Sequence, residues 1–293
     1  MKTACSLANF TWDGGAAAIG PKIADIARLA DDAGFSSLTA MDHWFQIEMV
    51  GPPEHEMLEG YSVLAFAAGI TKRINLQLLV TGVTYRHPGL LAKTVTTLDV
   101  LSGGRATLGI GAAWFEEEHR ALGVPYPPVA ERFERLDETL AIYRQMCSDD
   151  DGPFDGTHYQ LERTLNSPQP LTRPYPPIMI GGMGPTKTLR LAARHAQSVN
   201  WFPIGVDGFT GLQATLAAHC EAEGTDVDAI RLTMMAMHPD CADAAAVDAF
   251  VAEMAEYAAI GVDEVFLSPN GSDPVATVEQ LGEVLVPRLA ELG

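Results

Sequence analysis

Cysteine is scarce in this sequence, and no two cysteines stand at a spacing that metal sites or redox motifs use. The four are far apart, at Cys5, Cys147, Cys220 and Cys241. We therefore expect reduced thiols and no metal. The chain also lacks an apolar run of membrane-spanning length. The N-terminal residues lack the charged and apolar regions of a signal peptide, so we expect a cytoplasmic protein.

Positive charge is scarce as well. The chain has 19 lysines and arginines against 38 aspartates and glutamates, a formal net charge of −19 at pH 7. Such a chain repels polyanions, which excludes nucleic acid and anionic membranes as partners and favours a small-molecule substrate. Any anionic cofactor must be held by local donors, because the overall field of the protein repels it.

Eight strand-like apolar runs are present, and each is followed by a helical pattern. This alternation predicts a (β/α)8 TIM barrel in a single domain that spans residues 1–293. The alternative, a doubly wound sheet in two domains, is disfavoured because no linker-like change of composition divides the chain. The predicted strands cover residues 3–10, 35–41, 74–83, 106–111, 177–182, 198–202, 231–237 and 264–268.

Two irregular segments rich in proline and glycine interrupt the alternation, at about residues 112–130 and 149–176. We expect both as insertions at the C-terminal face of the barrel, and we expect a small hairpin over residues 154–161. A compact domain tolerates loops of this length mainly when they act as lids or binding loops.

The C-terminal ends of the strands are where a barrel of this kind places its active site. The predicted ends lack lysine and clustered carboxylates, which weighs against Schiff-base and metal-assisted enolisation chemistry. The pair Asp42-His43 is the only one suited to proton transfer, because the imidazole pKa lies near working pH. The alternative for His43 is a structural histidine with satisfied hydrogen bonds. GxSxG, HExxH and P-loop motifs are absent.

Glycines mark three of the predicted strand ends. Thr81-Gly82-Val83 and the end at Gly111 bring bare peptide to one rim, where a flat ligand ring can lie. The run from Gly109 to Trp114 resembles a dinucleotide fingerprint, but tryptophan occupies the third glycine position, so the signal is weak. The run Gly181 to Gly184 is either a phosphate cradle at a helix start or a tight turn.

Acidic and aromatic residues complete the candidates. The run Glu116-Glu117-Glu118 is typical of a solvated face, although Glu117 could reach the site as an acid. The tryptophans suggest an apolar or planar pocket, and packing inside the barrel is the alternative for each of them: Trp12, Trp44, Trp114 and Trp201.

Several motifs in order resemble the bacterial-luciferase-like family, most of all its branch that uses the deazaflavin coenzyme F420. The motifs are MDHWF at 41–45, VTGVTYRHPGLLAK at 80–93, LDVLSGGRATLGIGAAW at 98–114, PPIMIGG at 176–182 and LAARHA at 191–196. The resemblance runs from about residue 3 to 290. It implies a TIM barrel, a homodimer, and a non-proline cis peptide at Gly82-Val83 that backs the cofactor ring.

The resemblance also implies hydride transfer between the deazaflavin and a small organic substrate, with a histidine acid/base. The residues expected to be catalytic are His43, Asp42 and Glu117. Those expected to bind cofactor are Thr81, Gly82, Val83, Gly111, Ala112, Trp114, Gly181, Gly182, Met183 and Gly184. Those expected to form the substrate pocket are Trp12, Trp44 and Trp201. Two alternatives stay open: an FMN-dependent monooxygenase of the same family, and a catalytically silent barrel that binds flavin or F420.

Overall fold

Short buried strands and longer amphipathic helices alternate along the chain, which a computed structural model describes for residues 1–292. In chain order the elements are β1 (Lys2–Leu7), α1 (Ala16–Ala33), β2 (Ser37–Ala40), α2 (Gly60–Ala68), β3 (Asn75–Leu78), β4 (Thr81–Gly82), α3 (Pro88–Ser102), β5 (Ala106–Gly111), α4 (Glu116–Leu122), α5 (Val129–Met146), β6 (Phe154–Asp155), β7 (Gln160–Leu161), β8 (Ile178–Gly181), α6 (Thr188–His195), β9 (Ser198–Trp201), α7 (Val206–Glu223), β10 (Arg231–Ala236), α8 (Ala244–Ala259), β11 (Val262–Leu267) and α9 (Pro274–Ala290).

The parallel strands close on themselves. The hydrogen-bonded order is β3-β2-β1-β11-β10-β9-β8-β5, and β5 pairs back with β3, so the eight strands form a barrel. The two-residue β4 continues the line of β3 and also pairs with β5. The predicted TIM barrel is therefore confirmed, and the doubly wound sheet is wrong, because the pairing of β3 with β5 leaves no open edge.

Residues from opposite sides of the barrel fill its bore. Ala4 of β1, Met179 of β8 and Phe266 of β11 form one buried apolar cluster, with Leu79 and Met235 packed against it. Strands β1 and β8 are not neighbours in the sheet, so this contact crosses the interior. The cluster closes the barrel below its C-terminal mouth and gives any cavity there an apolar floor.

The predicted hairpin within residues 149–176 is confirmed, since β6 and β7 pair antiparallel with Phe154 opposite Leu161. Its turn is fixed to α5 by one carboxylate. Glu138 accepts hydrogen bonds from the backbone N–H groups of Thr157, His158 and Tyr159 at 2.7 to 3.0 Å. A carboxylate satisfied by several N–H groups holds a loop firmly, which keeps this insertion packed on the barrel wall.

None of the described helices is long and apolar enough to cross a membrane. The four cysteines carry free thiols, and three of them are buried. Burial raises the pKa of the Cys5 thiol to about 12, so this group stays a neutral packing residue at physiological pH.

Candidate active site

A cavity of about 290 Å³ opens at the C-terminal ends of the strands, where the sequence places the site. Glycine backbone and apolar side chains form most of its wall, and His43 stands at one side. The lining residues are His43, Leu79, Val80, Thr81, Gly82, Tyr85, Gly111, Ala112, Ala113, Trp114, Gly181, Gly182, Thr188, Asn200, Phe202 and Met235.

A non-proline cis peptide lies at this mouth, between Leu79 and Val80. Its predicted position at Gly82-Val83 is wrong by three residues. The cis bond falls in the gap between β3, which ends at Leu78, and β4, which begins at Thr81. It therefore interrupts the third barrel strand just before that strand resumes its pairing with β5.

Glycines on two neighbouring strands make room for Val80. A Cβ atom on Gly181 would lie 2.9 Å from Val80 Cγ2, and one on Gly111 would lie 3.3 Å from the same atom. A Cβ atom on Gly109 would collide with the carbonyl oxygen of Leu78. The paired glycines of β5 thus let the interrupted strand approach closely. At these positions the glycines make room for Val80 and for the backbone of Leu78, and Trp114 occupies the third glycine position of the fingerprint.

His43 is oriented by a buried carboxylate that the sequence reading did not choose. Its Nδ1 lies 2.9 Å from Oε1 of Glu118, and the imidazole is 13% exposed. An ionised carboxylate can only accept a hydrogen bond, so the contact keeps a proton on Nδ1. Nε2 is then the ring nitrogen left to exchange a proton with a substrate in the cavity.

Glu118 has a full set of donors although it is completely buried. It accepts from the backbone N–H groups of Trp44 at 2.7 Å and Phe45 at 3.3 Å, and from the phenol of Tyr85. Burial alone would raise its pKa, but the hydrogen bonds from His43, Tyr85 and Trp44 outweigh burial and hold the pKa of Glu118 below its ordinary value. Glu118 is thus an anion at neutral pH.

Glu117, the residue expected to act as an acid, lies exposed on the outer face of α4 and does not line the cavity. The buried residues of this helix are Glu118 and His119. They follow Phe115 by three and four residues, so all three lie on one face. Phe115 packs against the His43 ring at 5.7 Å between centroids. The spacing from Phe115 is the signal that could have singled out Glu118.

Asp42 does not line the cavity either. It is buried and accepts hydrogen bonds from Thr81 and from both terminal nitrogens of Arg86. Arg86 also pairs with Glu59 and lies over the Tyr61 ring. Burial raises the pKa of Asp42, and the Arg86 guanidinium opposes that rise. This carboxylate therefore ties the end of β2 to β4 and does not face a reacting group.

The tryptophans divide between cavity and core. Trp114 lines the cavity and stands edge-on to His43 at 5.5 Å between ring centroids. Trp44 packs on Tyr85 outside the cavity lining. Trp12 is buried against Phe10, and Trp201 is fully buried with its ring on Phe209 of α7. The structure thus places all three expected substrate-pocket tryptophans, Trp12, Trp44 and Trp201, outside the cavity lining.

Seven of the residues expected to bind cofactor line the cavity: Thr81, Gly82, Gly111, Ala112, Trp114, Gly181 and Gly182. Three do not: Val83, Met183 and Gly184. The sequence reading missed Asn200 and Met235, which sit on inward-facing strand positions. The signal for Asn200 was a polar residue inside an apolar strand, since successive side chains alternate between the two faces.

A glycine-containing turn adjoins the cavity before the start of α6. Gly182 has φ of +115°, which suits glycine, and Thr188, the first residue of the helix, lines the cavity. The preceding residue, Lys187, makes no ion pair within residues 1–292. Lys187 Nζ lies 5.5 Å from the centroid of the Phe133 ring, and the N–H group of Leu189 donates to the carbonyl oxygen of Gly184. A helix start with a lysine beside it is a common setting for a phosphate group.

Known proteins resemble this chain in sequence and in fold. An F420-dependent glucose-6-phosphate dehydrogenase of Microbacterium testaceum is 31% identical over 180 residues, which are 60% of this chain and 51% of the relative. An FMNH(2)-dependent dimethylsulfone monooxygenase of Pseudomonas putida is 35% identical over 128 residues, 43% of this chain and 34% of the relative. The chain thus matches about half or less of the length of these relatives.

A solved structure shares the whole fold. The coenzyme F420 dependent tetrahydromethanopterin reductase of Methanopyrus kandleri superposes with a TM-score of 0.78 at 19% identity, over 98% of this chain and 99% of that one. The sequence profile of the family described as luciferase-like monooxygenase matches residues 2–280. Because this match covers nearly the full sequence, the protein belongs to the luciferase-like monooxygenase family.

Proposed function

We propose that the protein is an oxidoreductase that uses coenzyme F420 to transfer a hydride to or from a small organic substrate, with His43 as the acid/base. The observation that carries this proposal is the pair formed by His43 and Glu118 at the edge of the cavity. It provides one proton-exchanging group beside a surface of bare peptide, which is what hydride transfer with a bound ring needs from the protein.

The residues present fit the cofactor. Gly82, Gly111 and Gly181 line the cavity beside Val80, and their lack of side chains leaves room for a planar ring. The hydroxyl of Thr188 and the ammonium group of Lys187 are donors that its phosphate could use. When bound, F420 supplies a carbon that accepts or gives up a hydride, so an alcohol that loses this hydride and its hydroxyl proton becomes a carbonyl compound.

The protein supplies the group that takes up or releases the proton. In the oxidation direction Nε2 of His43 takes the hydroxyl proton, and in the reduction direction it returns one. Glu118 fixes the imidazole orientation and faces the positive charge that forms on the ring. Tyr85 donates to the same carboxylate oxygen, so it helps to keep Glu118 ionised and in place.

We do not assign glucose 6-phosphate, the substrate in the name of one relative, to this protein. A phosphate dianion needs cationic partners in a buried site, and within residues 1–292 neither lysine nor arginine lines the cavity.

An anaerobic assay tests the proposal. Purified protein is mixed with F420 and a panel of alcohols, or with reduced F420 and the matching carbonyl compounds, and the deazaflavin absorbance is followed. We expect a change of absorbance that depends on both substrate and protein. Binding of F420 without turnover of any panel member would favour a catalytically silent barrel.

A second candidate is an FMN-dependent monooxygenase, which the likeness to the Pseudomonas putida enzyme favours. Oxygen uptake separates the two functions. Protein supplied with reduced FMN and substrate would consume oxygen as a monooxygenase, whereas the proposed F420 enzyme would not. Substrate-dependent uptake with FMN, in the absence of any reaction with F420, would replace the first proposal with the second.

A further inference from the structure

We propose that the substrate is an uncharged, mainly apolar alcohol or ketone. This inference rests on the proposed F420 function and names the substrate class that the same cavity accepts. Three features of the cavity carry it: the absence of charged side chains from its wall, the apolar residues at its rim, and the engagement of the nearby cations elsewhere.

The cavity wall holds no lysine, arginine, aspartate or glutamate among the residues that the structure describes. Its polar side chains besides His43 are those of Thr81, Tyr85, Thr188 and Asn200. Asn200 already donates from its amide nitrogen to Thr233. An ionised carboxylate or phosphate on the substrate would lose water there without gaining a counter-charge, and such a transfer is strongly unfavourable.

The rim of the cavity exposes large apolar side chains. Trp114, after β5, and Phe202, after β9, line the cavity and are 57% and 50% exposed. Ile204 and Met237 are also exposed and follow β9 and β10, so they come from the same end of neighbouring parallel strands. Apolar surface gathered around a pocket marks a ligand-binding site more often than an ordinary patch of protein surface.

The nearby cations are engaged elsewhere. Arg86 is paired with Asp42 and Glu59. Arg132 is buried, donates to the carbonyl oxygen of Ala113 at 2.9 Å, and lies over the Tyr126 ring. Lys187, at the start of α6, places its Nζ over the Phe133 ring, 5.5 Å from the ring centroid. None of the three is placed to neutralise a charged substrate beside His43.

A matched pair of alcohols isolates the effect of charge: 1-phenylethanol and 4-(1-hydroxyethyl)benzoate, which differ by one carboxylate. With F420-loaded protein we expect kcat/KM for 1-phenylethanol to exceed that for the carboxylate by about tenfold or more. Equal values, or preference for the carboxylate, would overturn the inference. So would failure of both alcohols to react with protein that binds F420 and oxidises other, charged alcohols.

A binding measurement without cofactor gives a second readout. Trp114 is the exposed tryptophan of the cavity, so 1-phenylethanol should change the intrinsic fluorescence of the apoprotein, and the Trp114→Phe variant should lose that change. The carboxylate should cause a change only at concentrations about tenfold higher. An equal response to both alcohols would contradict the inference even if the protein turned out not to bind F420.

A positive charge introduced at the rim should make the cavity accept a negatively charged substrate more readily. Phe202 is half exposed, so Phe202→Arg and the uncharged control Phe202→Gln should both fold. Relative to Phe202→Gln, we expect Phe202→Arg to shift the ratio of kcat/KM values towards the carboxylate by about tenfold. An unchanged ratio would contradict the inference, because the charge at the rim would then have no influence on which alcohol reacts. If the fluorescence of F420 does not change when the protein is added, the proposed function itself is rejected.

Discussion

The mouth of the barrel has two dissimilar halves. On one side, beyond β2 and β4, buried carboxylates are each paired with a nitrogen-bearing side chain: Asp42 with Arg86, and Glu118 with His43. On the other side, beyond β5, β8 and β9, the wall consists of glycine backbone and uncharged side chains such as Phe202. The first half can fix a proton-exchanging group in one orientation, and the second can accept a flat apolar surface. Each half lacks what the other provides.

The difference has an energetic basis. Buried charges persist only where each has a partner and further hydrogen bonds, so the charged half must be built as a network. Bare peptide is available only where close-packed glycines exclude side chains, and Gly181 and Gly111 do so by contact with Val80. Changes in the charged half should therefore affect proton transfer and folding together, whereas changes in the glycine half should affect packing.

The largest effect should come from removing the imidazole. His43→Ala should lower kcat with F420 by a factor of about 10² to 10⁴, the usual contribution of general acid–base catalysis. Binding of F420, followed by fluorescence, should change little, because His43 contributes one edge of the cavity. A kcat close to that of the wild type would remove His43 from the role proposed for it.

Breaking the ion pair between Asp42 and Arg86 should mainly reduce stability. Arg86→Met leaves the buried Asp42 carboxylate without its partner and should lower the free energy of unfolding by about 3 to 5 kcal/mol, measured in urea. The double variant Asp42→Asn with Arg86→Met should recover part of that loss, since the charge is then absent. A loss from Arg86→Met that the double variant does not reduce would mean that the pair is not coupled.

In the glycine half, two neighbouring positions should respond unequally. Gly109→Ala places a methyl group against the backbone oxygen of Leu78, which cannot move cheaply, and should cost about 1 to 3 kcal/mol of stability. Gly111→Ala meets the Val80 side chain at 3.3 Å and should cost less. Thermal unfolding of both variants checks the order. A larger loss of stability for Gly111→Ala than for Gly109→Ala would show that β5 does not approach the third barrel strand most closely at Gly109.

Two adjacent glutamates give the finest comparison. Glu118→Ala leaves the backbone N–H groups of Trp44 and Phe45 unpaired and should cost about 1 to 3 kcal/mol, the usual effect of an unsatisfied buried donor. Glu117→Ala, at an exposed position, should change stability by no more than about 0.5 kcal/mol. Equal effects of the two substitutions would contradict the placement of α4.

The contribution of Glu118 should depend on pH in one direction. Its pKa is lowered in the folded protein, so the stability it adds is fully present above the pKa of an unfolded glutamate, about 4.3, and is lost as pH falls through the folded-state pKa. The difference in stability between the wild type and Glu118→Gln should therefore shrink as the pH is lowered below about 5. A difference that grows on acidification would mean that Glu118 is protonated in the folded protein.

Periodicity and turn residues predicted the barrel, the hairpin at residues 154–161 and the strand-end position of His43. These features depend on local pattern, which a single sequence displays. Which glutamate forms the hydrogen bond with His43 depends on how the short helix α4 is rotated about its axis. One residue changes the direction of a helical side chain by about 100°, which separates exposed Glu117 from buried Glu118.

Two further errors have the same origin in long-range packing. The cis peptide at Leu79-Val80 lies where the chain packs against glycines of β5 and β8, which are distant in sequence and give no local signal. Trp201 was expected in the pocket, but the alternation of β9 directs Asn200 to the cavity and Trp201 to the helices outside. The sequence shows which segments form strands. Which side chains of a strand face the barrel interior depends on its register with the neighbouring strands.

Side-by-side fluorescence titrations of the apoprotein with F420 and with FMN test most directly whether the glycine half holds a deazaflavin ring next to the charged half. The account predicts saturable binding of F420 that is tighter than binding of FMN and that weakens in the Lys187→Ala variant. Tight binding of FMN, with no saturable binding of F420, would contradict it.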